Sequence, residues 1–126
     1  MRAGSLAREI AVLGMVALSG ACARQAIVGS EPGRGRSAAV ESLRSDLTRL
    51  ARDQASYFSR RSRYAATLED LPFAPSPGVS LSIIQGDRNG FSAIASSGDQ
   101  ECALYDGGVR SPRSYATRPG VVACRG

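Results

Sequence analysis

The chain has 126 residues and a formal net charge of +5, and all 16 of its basic residues are arginine because it contains neither lysine nor histidine. A chain of this length accommodates one domain. The absence of histidine removes the commonest general base and the commonest metal ligand of proteins, and the absence of lysine removes a further base. The composition therefore argues against an enzyme, and we expect no catalytic residue, no cofactor and no metal site.

Residues 1–23 have the organisation of an export signal. Arg2 and Arg8 precede an apolar run from Ile10 to Leu18, and small residues follow. A charged region, a short apolar region and a small-residue cleavage zone in this order are typical of signal peptides. The run has about half of the ~20 apolar residues that a membrane-spanning helix needs, so we predict export rather than a permanent transmembrane anchor.

Two interpretations of Cys22 stay open. Cleavage after Ala23, within Ala21-Cys22-Ala23, would release a soluble protein without this cysteine. Alternatively, the run from Leu18 to Cys22 resembles a bacterial lipobox, although its leucine lies one position further from the cysteine than usual. In that case Cys22 is the lipidation site and holds the protein to a membrane. Both interpretations predict a periplasmic or outer-membrane protein of the bacterial envelope, or one released outside the cell.

Residues 24–36 are predicted to be a flexible linker, because they are rich in glycine, serine and charged residues. A long amphipathic helix is predicted from the N-cap Ser37 to Arg61. Its apolar positions recur at spacings of three and four: Val40, Leu43, Leu47, Leu50, Ala51, Tyr57 and Phe58. The polar side is predicted to carry Arg44, Asp46, Arg49, Arg52 and Asp53. On that side, Arg49 and Asp53 are a predicted i,i+4 ion pair.

Three arginines, Arg60, Arg61 and Arg63, cluster at the predicted end of the helix. They indicate either an anion or nucleic-acid patch, or cations placed where the helix dipole favours them. We favour the second interpretation because aromatic and basic residues do not alternate elsewhere, as they do in nucleic-acid grooves. Nucleic acid is therefore not an expected partner.

Residues 62–78 are predicted to connect the helix to a sheet. Tyr64 and Leu68 are the expected core anchors of this connector, and Thr67–Asp70 is an expected short helical turn. Several prolines and a glycine prevent a longer regular element.

Alternating apolar and polar residues predict three strands, which begin near Val79, Phe91 and Glu101. Turns are predicted at 87–90, where Asn-Gly is a strong hairpin signal, and at 96–99. A short edge strand is predicted at 121–124. The predicted domain, residues 37–126, is therefore α+β, with one long amphipathic helix packed on a three- to four-stranded antiparallel meander.

The two late cysteines, Cys102 and Cys124, are natural disulfide partners in an oxidising compartment. Their bond would close a loop of about 22 residues and stabilise the fold by roughly 3 kcal/mol in the chain-entropy model. Two buried free thiols are the alternative.

Four polar residues in the predicted turns and loops are of the types that bind calcium: Asp87, Asn89, Asp99 and Asp106. Their spacing does not match an EF-hand loop. Aspartate and asparagine usually occupy turns for the sake of the turn itself. We therefore predict that they form turns.

The order of motifs resembles the globular head of type IV pilins and pseudopilins. Ser45–Phe58 follows the form S-D-L-x-x-L-x-x-x-Q-x-x-Y-F of the second half of the pilin helix, and Arg63–Leu68 resembles the x-Y-A-x-x-L that follows it. Phe73–Val79 and Asn89–Ala95 resemble the first two strands of a pilin head. The resemblance also implies that Cys102 and Cys124 close a C-terminal disulfide loop that presents the functional surface.

Residues 1–36 depart from the pilin pattern, because no glycine-phenylalanine peptidase site and no long apolar half-helix are present there. The expected function is that of a non-enzymatic, pilin-like envelope protein that acts by surface contacts with other envelope proteins, as an accessory to a type IV pilus or type II secretion system. The alternative is a stand-alone periplasmic or lipid-anchored binding module with no pilus role.

Overall fold

The computed structural model describes residues 32–125. The predicted targeting segment 1–23, the lipidation candidate Cys22 and the first part of the predicted linker lie outside the described residues. The described elements are helix α1 (Pro32–Arg61), a 3-10 helix (Leu68–Asp70) and strands β1 (Ser80–Gly86), β2 (Gly90–Ser97), β3 (Gln100–Gly107) and β4 (Ala123–Cys124). The strands form one antiparallel sheet in the order β1-β2-β3-β4. The predicted α+β class, with a helix packed on an antiparallel meander, is confirmed.

Helix α1 begins at Pro32, upstream of the predicted N-cap Ser37, so the last residues of the predicted linker segment, 32–36, are helical. Proline suits the first turn of a helix, because its φ is fixed near the helical value and its missing N–H has no intrahelical partner there. The glycines of this segment weaken a helix interior, and for that reason the composition predicted a linker here.

Helix α1 ends at Arg61, as predicted, and the chain then turns sharply at Ser62. Ser62 has a φ of 57°, and it is the one non-glycine residue in the left-handed region between residues 32 and 125. Its N–H donates to the carbonyl oxygen of Phe58 at 2.8 Å. This bond is typical of a helix C-cap in which the residue after the helix is left-handed.

The hydrophobic core lies between α1 and one face of the sheet. Leu43, Leu47 and Leu50 of the predicted stripe are fully buried. The strand residues that pack in the same cluster alternate along their strands: Leu81, Phe91, Ala93, Ala95, Cys102 and Leu104. Because alternate residues of a strand point to the same face, helix and sheet cover each other's apolar surface. At the far end of the stripe, Phe58 keeps 37% of its surface exposed.

The segment Phe73–Val79 is irregular, although the resemblance to pilins implied a strand there. Prolines within it cannot donate to a sheet ladder, so the first strand begins only at Ser80. The 3-10 helix Leu68–Asp70 forms where a short helical turn was predicted. Tyr64 and Leu68 are partly buried against the core, as expected for anchors of the connector.

Candidate functional site

The connector, residues 62–79, is fastened to α1 by a buried glutamine. The Gln54 side-chain amide donates to the carbonyl oxygen of Ala65 at 2.9 Å, and its Oε1 accepts from the N–H of Ala65 at 2.7 Å. Gln54 is fully buried, so both backbone groups of Ala65 are satisfied by one side chain away from water. Gln54 therefore fixes the direction in which the chain leaves the helix.

A second buried polar side chain, Asp46, holds the other end of the connector. Its carboxylate accepts from the N–H of Ser76 at 2.8 Å and from the Ser76 hydroxyl at 2.7 Å. Arg49 donates to the same carboxylate at 2.7 Å. Burial alone would raise the pKa of Asp46, but the bonds from Ser76 and Arg49 outweigh it, so the pKa lies below its ordinary value. Asp46 is therefore ionised at neutral pH.

These contacts correct two predictions about the polar side of α1. Asp46 was predicted to face solvent and is fully buried. Arg49 was predicted to pair with Asp53, but it pairs with Asp46 and also donates to the carbonyl oxygen of Ala74 at 3.2 Å. Its guanidinium lies 4.7 Å from the ring centroid of Phe73. The connector lies over this part of the helix and supplies partners that helical periodicity alone cannot locate.

Aromatic rings close the junction between α1, the connector and the sheet. The ring centroids of Phe58 and Tyr64 are 4.7 Å apart, and those of Tyr64 and Phe91 are 5.3 Å apart. Tilted pairs at such separations stabilise beyond the area that they bury. Tyr64 therefore links the end of the helix to β2. The tyrosine and alanine of the x-Y-A-x-x-L motif both serve this junction.

The disulfide joins Cys102 to Cys124 across β3 and β4. The two cysteines are direct cross-strand partners in the register of the sheet, and β4 has only two residues. Cys102 is fully buried in the core cluster. The bond therefore anchors the return of the chain to the sheet and closes the base of the disulfide loop, residues 108–122.

Glu101 organises the disulfide loop from the neighbouring strand. Its carboxylate accepts two bonds from the Arg113 guanidinium, at 2.9 and 3.3 Å, and one from the Tyr115 hydroxyl at 2.7 Å. The bonds from Arg113 and Tyr115 lower the pKa of Glu101. Burial, and then the bond to Glu101, raises the pKa of Tyr115 well above its ordinary value. The loop is thus held in one shape by a charged anchor.

Two apolar side chains of the disulfide loop, Val109 and Ala116, are buried, whereas Val121 is 40% exposed. The Ser111 hydroxyl bonds the carbonyl oxygen of Ala116 at 2.7 Å and so closes a turn inside the loop. The loop therefore presents a defined outer surface.

The arginine cluster at the end of α1 is only partly as predicted. Arg60 and Arg61 occupy the last helical turn, where the dipole favours cations. Arg61 and Arg63 also line an open cleft of about 530 Å³, together with Ser62, Asp87 and Arg88. Arg88 lies in the β1–β2 turn, and no sequence pattern links it to the end of α1. Its position beside the end of α1 depends on the tertiary fold.

The three aspartates compared with calcium ligands do not come together. Within the part of the chain that the structure describes, no group of three or more histidine, cysteine, aspartate or glutamate residues could hold a metal ion. Asp87 accepts through Oδ1 from the N–H groups of Asn89 and Gly90, at 2.7 and 3.3 Å, as an aspartate at the start of a turn does. Between residues 32 and 125 no helix has the length and apolar character needed to cross a membrane.

Comparison with known proteins gave no relative. No protein-family model, no curated protein and no solved structure matches this chain. The observed architecture, one helix on a four-stranded antiparallel sheet with a disulfide, is compatible with a pilin-like head.

Proposed function

We propose that this chain is a non-enzymatic, pilin-head-like envelope protein that acts by surface contacts as an accessory to a type IV pilus or type II secretion system. Residues 1–23 supply the export signal. Cys22 either carries a lipid or is removed by cleavage after Ala23. The disulfide loop, residues 108–122, is the surface offered to a protein partner.

The observation that carries this proposal is that residues from separate pilin-like motifs contact one another in the structure. Asp46 and Gln54 are two polar residues of the helical motif, and Ala65 belongs to the motif of the connector. In the structure, Gln54 binds both backbone groups of Ala65, and Asp46 binds Ser76. These contacts between separate parts of the resemblance support the proposal of a pilin-like head.

The disulfide loop supports the choice of surface. Its N-terminal end continues from β3, its C-terminal end is tied to β3 by the Cys102–Cys124 bond, and its middle is tied by Arg113 and Tyr115 to Glu101. A loop held at its base and centre loses little conformational entropy when a partner binds. Val121 adds exposed apolar area at the edge of this surface.

Crosslinking in the cells that make the protein tests the proposal. A photoreactive amino acid replaces Val121 in the disulfide loop, and a matched variant carries it at Arg52, an exposed position of α1 outside the loop. We expect adducts with subunits of a pilus or secretion system from position 121 and not from position 52. Equal adducts from both positions, or loop adducts only with unrelated envelope proteins, would contradict the accessory role. The second result would favour a stand-alone module.

A further inference from the structure

The cleft between the end of α1 and the β1–β2 turn brings together cations from two separate segments. Arg61 and Arg63 come from the helix end, and Arg88 comes from the turn. The helix dipole accounts for Arg61, but its influence fades beyond the last turn. It does not explain why Arg88 lines the same cleft.

The frame of the cleft is fixed by backbone contacts. The N–H of Tyr64 donates to the carbonyl oxygen of Asp87 at 2.9 Å, and the N–H of Asp87 donates to that of Gly90 at 3.1 Å. A side chain at Gly86 would collide with the backbone of Ala65, so glycine allows the two segments to approach. The arginines therefore project from a backbone that is already in position.

The cleft has an excess of positive charge. Among residues 32–125, the salt bridges are those of Arg49 and Arg113, and none involves Arg61, Arg63 or Arg88. The one carboxylate in the cleft, Asp87, already accepts from the Gln85 side chain at 2.9 Å and from the turn backbone. Three arginines and one aspartate line the cleft, so its lining carries a formal excess of two positive charges, and the Arg61 guanidinium also lies 5.8 Å from the Tyr57 ring centroid.

We propose that this cleft binds a phosphate group, either as free inorganic phosphate or as part of a lipid headgroup. A phosphate monoester has close to two negative charges at neutral pH and several acceptor oxygens. Guanidinium groups bind such oxygens through paired, charge-assisted hydrogen bonds. The charge and donor types of the cleft match this group, and the site is independent of the protein-contact role of the disulfide loop.

Two triple variants with the same net charge test the site. The cleft variant carries Arg61→Gln, Arg63→Gln and Arg88→Gln. The matched control removes three exposed arginines outside the cleft, Arg36→Gln, Arg52→Gln and Arg118→Gln. Both are made in the full chain with Cys22→Ser, so that no lipid at that residue contributes to membrane binding. Arg88→Gln alone serves as a milder variant if the triple change disturbs the fold.

Two probes distinguish the sources of the phosphate. Inorganic phosphate is titrated while the amide resonances of the cleft residues are followed, and vesicles of equal parts phosphatidic acid and phosphatidylcholine are used in flotation. We expect the cleft variant to bind at least one probe about tenfold more weakly than the control. Loss with inorganic phosphate identifies a free phosphate site, and loss with vesicles alone identifies a headgroup site. Equal weakening of binding in both triple variants would overturn the proposal. So would a failure of the chain that keeps all three cleft arginines to bind either probe.

Discussion

The junction between α1 and the connector and the disulfide loop are held in opposite ways. At the junction, two fully buried side chains, Asp46 and Gln54, bond the connector through hydrogen bonds alone. The disulfide loop is held by one covalent bond at its base, by the partly exposed contacts of Glu101 with Arg113 and Tyr115, and by its two buried side chains. The junction is part of the core, whereas the loop is attached to the core at a few points.

This difference indicates which of the two regions tolerates changes of side chain. A buried polar group that loses its partner destabilises the fold, so the junction tolerates few side chains. The loop keeps its attachment through Cys102, Cys124 and Glu101, and its exposed positions can carry other side chains at little cost. A change in the junction should therefore affect the whole fold, and a change in the loop should act locally.

The largest expected effect follows from Gln54→Leu. The leucine leaves both the N–H and the carbonyl of Ala65 buried without a partner, so the free energy of unfolding should fall by about 4 kcal/mol. Urea unfolding measures it. The control Gln100→Ala, which removes an exposed side-chain bond at the start of β3, should change the free energy by less than about 0.5 kcal/mol. Similar losses in both variants would show that the buried bonds of Gln54 contribute no more to the free energy of unfolding than an exposed bond does.

Removal of the disulfide should have the next largest effect. Cys102→Ala with Cys124→Ala should lower the free energy of unfolding by about 3 kcal/mol, because the unfolded chain regains the freedom of the closed loop. Hydrogen exchange should accelerate in residues 108–122, while the Ala65 amide keeps its protection under native conditions. Faster exchange at Ala65 to the same degree would contradict the separation of loop and junction.

The charge on Asp46 makes the stability of the junction depend on pH. Its pKa is lower in the folded protein than the ordinary 3.8, so the stability that it contributes is present above about pH 4 and is lost as the pH falls through the folded pKa. Asp46→Asn should cost about 2 kcal/mol at neutral pH, and the difference from the unsubstituted protein should narrow in acid. A difference that does not vary with pH would show that the charge of Asp46 is unimportant.

The smallest effect is expected at Ser62, where the junction turns. A left-handed conformation strains any side chain, so Ser62→Gly should raise the free energy of unfolding by about 0.5 kcal/mol. Ser59→Gly, inside α1, should lower it by about the same amount because glycine weakens a helix. Thermal unfolding of the two variants tests the opposite signs. A loss of stability in both would contradict the assigned cap.

Periodicity predicted the elements of the fold because it reports which face of each element is apolar. The leucines of α1 recur at helical spacing, and alternate residues of β1 and β2 face the core. Periodicity does not predict the burial of Asp46 and Gln54, because a polar residue in a helix is expected to face solvent unless its partner is known. Their partners, Ser76 and Ala65, lie in an irregular segment whose course no period predicts.

The candidate surfaces were predicted to a smaller extent. The two cysteines pointed to the disulfide loop, but the contact of Glu101 with Arg113 and Tyr115 depends on the path of the loop. Similarly, Arg61 and Arg63 were noticed as a cluster, whereas Arg88 joins them only when the β1–β2 turn reaches the end of α1. Contacts between segments far apart in sequence cannot be predicted from local sequence patterns.

The mass of the protein from its own cells, measured with and without reduction and alkylation, tests most directly the proposal of an exported, disulfide-closed protein. The account predicts either a lipid mass on Cys22 in the membrane fraction or Arg24 as the first residue in the soluble fraction. It also predicts that Cys102 and Cys124 are alkylated only after reduction. An intact chain that begins at Met1, with both of these thiols alkylated without reductant, would contradict it.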